Sequence, residues 1–313
     1  MNREEAEPQT VTESGAARSG DLDLVFWPVG LGSLSFSDHL EIAGAGGFTS
    51  LAVTPTRAKR PMQQGRTAQD LLEQAQEKGL KLNPLDGIAT WVTDWRGTKG
   101  DPGLLQMMTE VFDIGMTEAL DIGAALNMTM AVAVPFFDEG SIPLDEVIES
   151  FGRFCDAAKP YGISIDLEPI PFWGLPDLPI AWEIVRAADR DNSGIVIDTW
   201  HIQKGSRDYA RDIALLQPIP GKRLRHVQLA DADLQSHADT LSGDVMFRKY
   251  PGEGELDITR MLSTIADKGC LESVGPEIVN AEQAAMSNAE IGERSGRTTR
   301  DAVRKAYAAI GRE

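Results

Sequence analysis

Short apolar runs recur along this chain, separated by longer segments of helical periodicity, and this alternation most restricts the folds open to it. The runs are rich in β-branched and aliphatic residues, as buried parallel strands are. There are eight of them, at 22–29, 48–53, 80–90, 128–137, 163–170, 194–199, 224–230 and 274–279. Strands alternating with helices in this way predict repeated βα units around a parallel sheet.

The number of units decides between an open and a closed sheet. Amphipathic helices are predicted where apolar residues recur at three and four, at 68–78, 144–159, 178–189, 256–268 and 299–310. An open doubly wound sheet has the same alternation of strands and helices. The count of eight units, and the lack of a GxGxxG motif in the first unit, favour a closed (β/α)8 TIM barrel. We expect residues 21–313 to form this single catalytic domain. Residues 1–20 are rich in Glu, Ser, Thr, Gly and Ala, and we expect a disordered tail.

Charge and hydropathy limit the partners. The chain has 48 acidic and 30 basic residues and a formal net charge of -18, which opposes binding to nucleic acid or to anionic membranes. Its apolar runs are too short to cross a bilayer, and its N-terminus lacks the pattern of a signal peptide. We therefore expect a cytoplasmic protein with a small-molecule substrate. Association into a homo-oligomer is left open.

Polar side chains stand at the ends of four late strands. They are Glu168 in ISIDLEPIPFW, Asp198 in GIVIDTWH, Gln228 in LRHVQLAD and Glu277 in SVGPEIVN. The first three are spaced by 30 residues, one βα repeat, which puts them at similar heights in the barrel mouth. Three carboxylates there would repel one another without a divalent cation. We predict that all four bind a metal, and oxygen ligands favour Mn²⁺, with Mg²⁺ or Co²⁺ as alternatives.

Two further residues lie one layer deeper on the same strands. Asp166 and His226 precede Glu168 and Gln228 by two residues, so strand alternation turns them inward as well. They can pair there and orient the ligands above them. His226 is also an alternative ligand in place of Gln228, because imidazole binds many metals.

Residues just beyond the strand ends are candidates for contact with a substrate. His201 follows Asp198 by three residues and can reach a substrate hydroxyl as a catalytic group, unless it is an exposed loop histidine. Arg248, in FRKYPGEGELD, can bind a substrate oxygen or carboxylate, unless it is a solvated surface arginine. Trp91 and Trp200 offer flat apolar walls for a ring-shaped or sugar-like ligand, or else pack beneath loops.

The motifs LEPIPF, VIDTWH, HVQLAD, PGEG and GPEIV, in this order, resemble those of the xylose-isomerase-like barrel superfamily of sugar isomerases and epimerases. The resemblance runs from about residue 21 to residue 311. The superfamily includes hydroxypyruvate isomerases, ketohexose 3-epimerases, inosose isomerases and dehydratases, and dehydroshikimate dehydratases. The resemblance implies metal ligands at Glu168, Asp198, Gln228 and Glu277, and substrate contacts at His201 and Arg248.

Gln228 is where this chain departs from part of the superfamily. Many of the epimerases have histidine there, whereas hydroxypyruvate isomerases and dehydroshikimate dehydratases resemble this chain in having glutamine. Endonuclease IV shares the fold, but its three zinc ions need more than the 4 histidines of this chain. The acidic charge also opposes a role in DNA repair.

The predicted site suits proton transfer beside a carbonyl. A metal that holds a ketone oxygen and a neighbouring hydroxyl acidifies the carbon between them, so Glu168 and Glu277 can remove and return a proton through a metal-bound enediolate. The first hypothesis is an isomerase or epimerase of a keto-sugar or cyclic polyol ketone, in carbohydrate metabolism. The second is a lyase, a dehydratase that expels a β-hydroxyl from the same anion. The third is a barrel that has lost catalysis and only binds a ligand or partner.

Overall fold

The computed structural model describes residues 22–312, so the tail predicted at residues 1–20 lies outside the described residues. Eight parallel strands close into a barrel in chain order, with β1 paired to β8. The strands are β1 (Asp23–Phe26), β2 (Ser50–Val53), β3 (Lys81–Ile88), β4 (Met130–Ala133), β5 (Ser164–Leu167), β6 (Ser193–Asp198), β7 (His226–Leu229) and β8 (Ser273–Pro276). Each apolar run identified in the sequence overlaps one strand, and the predicted closed barrel is confirmed.

Helices follow the strands and cover the barrel. They are α1 (Phe36–Ala45), α2 (Pro55–Gln63), α3 (Ala68–Glu77), α4 (Pro102–Phe112), α5 (Met116–Ala125), α6 (Leu144–Ala158), α7 (Leu178–Ala188), α8 (Thr199–Lys204), α9 (Tyr209–Leu215), α10 (Leu241–Asp244), α11 (Ile258–Ala266) and α12 (Asn288–Ala309). Short 3₁₀ helices lie at Val29–Leu31, Lys159–Tyr161, Gly221–Arg223 and Ala281–Ala285. Within residues 22–312, every helix is too short or too polar to cross a membrane.

The last helix is longer than its apolar periodicity predicted. It begins at Asn288 rather than at residue 299, behind a capping box in which Ser287 and Glu290 bond each other's backbone N–H groups. Its first turns pack closely on α1, since a Cβ on Gly296 would lie 1.9 Å from the carbonyl oxygen of Gly46. In these turns the helix touches α1 through its backbone, which needs glycine, rather than through apolar side chains. The apolar periodicity that marks the rest of the helix is therefore missing here.

Two apolar clusters divide the interior. Most buried apolar residues, Phe26 and Leu51 among them, pack between the barrel and its helices. Val25, Trp27 and Ala52 form a separate small cluster. Because side chains alternate along β1 and β2, these three residues face the barrel axis. Trp27 stands just beyond the end of β1 and therefore lies on the wall of the barrel mouth.

Candidate metal centre

Strand register brings the predicted ligands to one end of the barrel. Asp198, the last residue of β6, is the register partner of Gln228 on β7. Glu277 directly follows β8 and is bridged to Trp27, while the backbone N–H of Glu168 bonds strand β4 just after β5 ends. All four predicted ligands are buried, with at most 6% of any residue exposed.

A compact group of ligand atoms forms among these residues. One atom each from Glu168, Asp198, His201 and Glu277 lies within 4.8 Å of the others. Gln228 adjoins the group, because its amide nitrogen donates to Oε1 of Glu277 at 3.1 Å. The amide oxygen of Gln228 is buried and has no hydrogen-bond partner among residues 22–312. Such an orphaned acceptor beside three carboxylates fits a divalent cation, so the described residues contain a candidate metal site.

Arg248 lies inside this group rather than at the surface. Its Nη1 donates to Oδ2 of Asp198 at 2.9 Å and to Oε2 of Glu277 at 2.6 Å. Its Nη2 lies 3.1 Å from Nε2 of His201, and its guanidinium stacks 5.1 Å from the ring centre of Trp200. Only 1% of Arg248 is exposed, so its charge offsets the carboxylates in a region that water hardly reaches.

His201 is held against the carboxylates by the start of α8. The helix begins directly after β6, and the carboxylate of Asp198 caps it by accepting the backbone N–H of His201 at 2.9 Å. Nε2 of His201 consequently lies 3.6 Å from Oε1 of Glu168. Burial, opposed by Asp198 and aided by Arg248, lowers the pKa of His201 to about 3. Its ring is therefore neutral and can accept a hydrogen bond or bind a metal.

The carboxylates differ in the direction of their pKa shifts. Burial, followed by the charges of Glu277 and Asp198, raises the pKa of Glu168 well above its usual value. Burial also raises the pKa of Glu277, although Arg248 opposes it. Burial acts on Asp198 in the same sense, but Arg248 and His201 more than offset it, so the pKa of Asp198 is lowered. Two buried carboxyls thus favour their protonated forms unless a cation is bound.

A further carboxyl, that of Asp86 on β3, was not identified from the sequence. It is 6% exposed, and burial raises its pKa to about 7. Its charge also raises the pKa values of Glu168 and Glu277, so it faces the same space. The signal available in the sequence was an acidic residue within the apolar run 80–90.

The two tryptophans predicted to bind substrate have different surroundings. The indole N–H of Trp91 donates to the carbonyl of Val134 at 3.0 Å, and its ring meets Phe137 and Phe151 edge-on. These are packing contacts, and a substrate contact for Trp91 stays a prediction. Trp200 is fully buried in α8 against Arg248 and His201, so it borders the carboxylate group.

His226 does not belong to the group, so its suggested role as a ligand in place of Gln228 is wrong. Its Nδ1 lies 2.8 Å from Oγ of Ser273, and its Nε2 lies 3.6 Å from Oδ2 of Asp166. Asp166 in turn accepts a hydrogen bond from Arg225 at 2.9 Å. Asp166 and His226 are neighbours as expected, but no hydrogen bond joins them. They belong to a cluster toward the amino ends of the strands, because β7 begins at His226.

The protein is a closed parallel barrel. At the carboxyl ends of its strands it has a buried cluster of carboxylates that could bind a metal ion, and these two features define its class. Residues 40–295 match the model of the xylose isomerase-like TIM barrel family. The match covers most of the chain, which therefore belongs to this family.

Individual relatives are isomerases and dehydratases. The inosose isomerase of Bacillus subtilis is 28% identical over 191 residues, a match spanning 58% of this chain and 65% of that protein. The 3-dehydroshikimate dehydratase of Pseudomonas aeruginosa is 34% identical over 100 residues, or 32% of this chain and 15% of that protein. The crystal structure of the protein IolI with a bound zinc atom has a TM-score of 0.74 at 22% identity, covering 92% of this chain and 100% of IolI. The curated relatives that match this chain are thus isomerases and dehydratases, and the match spans slightly less than two thirds of the Bacillus subtilis inosose isomerase. The likeness to IolI shows the fold alone.

Proposed function

We propose that this chain is a divalent-metal-dependent isomerase or epimerase of a keto-sugar or a cyclic polyol ketone, acting through an enediolate. The observation that carries the proposal is the pair of buried glutamates, Glu168 and Glu277, whose oxygens belong to one compact group of ligand atoms. They follow different strands, β5 and β8, and therefore approach a common point from two directions. Two such groups can take a proton from one carbon and return it to another carbon or face.

We further propose Glu168, Asp198, Gln228 and Glu277 as the metal ligands, with Mn²⁺ as the ion and Mg²⁺ or Co²⁺ as alternatives. The orphaned amide oxygen of Gln228 supports this set. A bound dication would polarise a substrate carbonyl and acidify the adjacent carbon. His201 supplies a nitrogen to the same group of atoms, which makes Zn²⁺ a competitor for the site.

The remaining residues have supporting roles in this proposal. Nε2 of neutral His201 accepts a hydrogen bond from Arg248, so its other ring nitrogen, Nδ1, carries the proton, has no partner among residues 22–312 and can donate to a substrate oxygen. Arg248 holds Asp198 and Glu277 in place through its hydrogen bonds and presents its Nε, which has no partner among residues 22–312, to a substrate oxygen. Trp200 stacks on Arg248 and fixes its direction.

A lyase is the second candidate, and the match to the 3-dehydroshikimate dehydratase favours it. Both reactions begin with removal of a proton beside a carbonyl. They differ in whether the resulting anion is reprotonated on carbon or expels a β-hydroxyl as water. The same carboxyls serve both outcomes, because a protonated glutamate can deliver its proton to carbon or to the departing oxygen.

Hydrogen exchange separates these outcomes. The purified protein, loaded with Mn²⁺ in deuterated buffer, is incubated with ketoses, inososes and 3-dehydroshikimate and followed by NMR. Deuterium on carbon in a product of otherwise unchanged mass supports isomerisation, whereas loss of water supports the lyase. Absence of exchange with every ketone would refute both and leave a binding barrel.

Matched variants test the assigned residues. Glu277→Gln removes a charged ligand, so we expect it to lose most of its tightly bound metal in elemental analysis and to stop exchange. Glu183→Gln makes the same change at an exposed position of α7 and should retain both properties. Full metal content in Glu277→Gln would rule out this residue as a ligand.

Location in the cytoplasm and association into a homo-oligomer stay predictions. Light scattering coupled to gel filtration measures the oligomeric state directly.

A further inference from the structure

Asp86 is a buried carboxyl that the proposed reaction does not use. Its neighbour Leu85 belongs to the outer apolar cluster and points to α5, where its Cδ2 would lie 3.2 Å from a Cβ on Gly123. Strand alternation therefore turns Asp86 toward the barrel axis. Burial alone accounts for its raised pKa, without a compensating hydrogen bond or cation. A carboxyl kept in this state costs stability unless a bound molecule uses it.

Asp86 shares the barrel mouth with the metal ligands but lies beyond their immediate group. Asp86 lies two residues before the carboxyl end of β3, and its charge raises the pKa values of both Glu168 and Glu277. It does not belong, however, to the set of ligand atoms that lie within 4.8 Å of one another. Asp86 is carried by β3, whereas the ligand strands run from β5 to β8. It is therefore placed to meet the part of a substrate that extends away from the reacting carbons.

Trp27 lies on the same side of the mouth. It follows β1, faces the barrel axis with Val25 and Ala52, and is 1% exposed. Its indole N–H is buried and has no hydrogen-bond partner among residues 22–312. Glu277 is its bridge partner, so the tryptophan adjoins the ligand group. The wall formed by β1 to β3 thus holds an unused donor, an unused acceptor and a flat ring face.

The charge of the mouth excludes one class of substrate. Arg248 is the only lysine or arginine of residues 22–312 within 4.0 Å of a carboxylate of the ligand group. With Asp86 counted, four carboxyls face one guanidinium, so even a bound dication leaves the ionised mouth with an excess negative charge. A carboxylate on the substrate would meet this excess with no second cation to neutralise it.

We propose that Asp86 and Trp27 determine specificity by binding the distal hydroxyls of a neutral, polyhydroxylated ketone, and that Asp86 excludes ketones that carry a carboxylate. Asp86 accepts a hydrogen bond from a hydroxyl of the substrate. Trp27 donates one from Nε1 and covers the C–H face of the molecule with its ring. The inference rests on the proposed function and narrows its substrate to uncharged keto-sugars and cyclic polyol ketones.

The test compares two ring-shaped ligands that cannot react, since neither has a ketone. Titration calorimetry on the Mn²⁺-loaded protein measures the affinities for myo-inositol, which is neutral, and for quinate, which carries a carboxylate. We expect the wild type to bind myo-inositol at least about tenfold more tightly than quinate, the factor that one lost charged hydrogen bond represents. Binding of quinate as tight as that of myo-inositol, or binding of neither, would overturn the inference.

Variants then test which residues cause the preference for myo-inositol over quinate. Asp86→Asn should weaken binding of myo-inositol several-fold, strengthen binding of quinate and leave the metal content unchanged. Trp27→Phe keeps the ring without the N–H and should weaken binding of myo-inositol alone. Asp94→Asn makes the same charge change at an exposed position after β3 and is the control. Wild-type affinities in both Asp86→Asn and Trp27→Phe would refute the assignment.

The two proposals can fail separately. Exchange with 3-dehydroshikimate but with no neutral ketone would refute the inference and leave metal-dependent proton transfer intact. If no ketone exchanges, the proposed function fails, and the calorimetric comparison still decides which charge class the mouth binds.

Discussion

Replacement of Arg248 by methionine tests whether its charge holds the carboxylate group together. The guanidinium donates to Asp198 at 2.9 Å and to Glu277 at 2.6 Å, and 1% of the residue is exposed. Methionine retains much of the volume but none of the charge. In protein without added metal, Arg248→Met should therefore leave two buried carboxyls without their cation.

The expected loss of stability follows from this burial. Removal of one partner from a buried ion pair costs about 3–5 kcal/mol. Glu277 can limit the cost by keeping a proton, because its pKa is already raised, so we expect a value near the lower end, about 3 kcal/mol. In a chain of this size each kcal/mol lowers Tm by about 1.5 °C, which gives a loss of about 4–5 °C.

Differential scanning calorimetry at pH 7, with and without Mn²⁺, measures this loss. Arg304→Met is the control, because Arg304 also makes a 2.9 Å ion pair, with Asp301, but its side chain is 73% exposed. The control should melt with the wild type, since an exposed pair contributes little. Added Mn²⁺ should reduce the deficit of Arg248→Met by supplying positive charge. A metal-free Arg248→Met protein that melts with the control would refute the reasoning.

Two other predictions concern the metal-free protein and the fold. Burial raises the pKa of Asp86 to about 7, so the native state keeps a proton that the unfolded state releases above its usual pKa near 4. Stability should therefore fall as pH rises from about 4 to 7, and Asp86→Asn should remove about 4 kcal/mol of this loss; equal pH profiles of Tm in variant and wild type would contradict it. Gly296→Ala should lower stability by about 1–3 kcal/mol through its clash with Gly46, whereas Gly44→Ala, whose new Cβ inside α1 would meet no atom closer than 3.8 Å, should not lower it in the same thermal scan.

Residues at the ends of regularly repeated strands could be located from the sequence. The spacing of 30 residues between Glu168, Asp198 and Gln228 places them on successive βα units, and their common location at the carboxyl ends is a property of every parallel barrel. Trp27, just after β1, and Asp86, on β3, belong to the same barrel but were not identified from the sequence. In the sequence, Trp27 cannot be told from an ordinary apolar core residue. Asp86 lies inside an apolar run, and the strand register shifts after Leu85, so the direction of its side chain could not be read from the sequence.

Electrostatic pairing could not be predicted in the same way. Arg248 is 50 residues from Asp198 and 29 from Glu277 in the chain, and nothing in its local sequence separates a surface arginine from this buried one. The start of α12 was missed for a related reason, because its glycines are meaningful only beside the backbone of α1.

Local patterns in the chain are enough to predict the eightfold alternation, and with it the barrel and the strand ends that carry polar groups, because periodicity and strand-end position are local properties. The folded arrangement was needed to show which of those groups face one another, that His201 joins them while His226 does not, and that Asp86 adds a further carboxyl. The physical reason is that pKa values and ion pairs depend on distance through a poorly solvated interior, which separation along the chain does not specify.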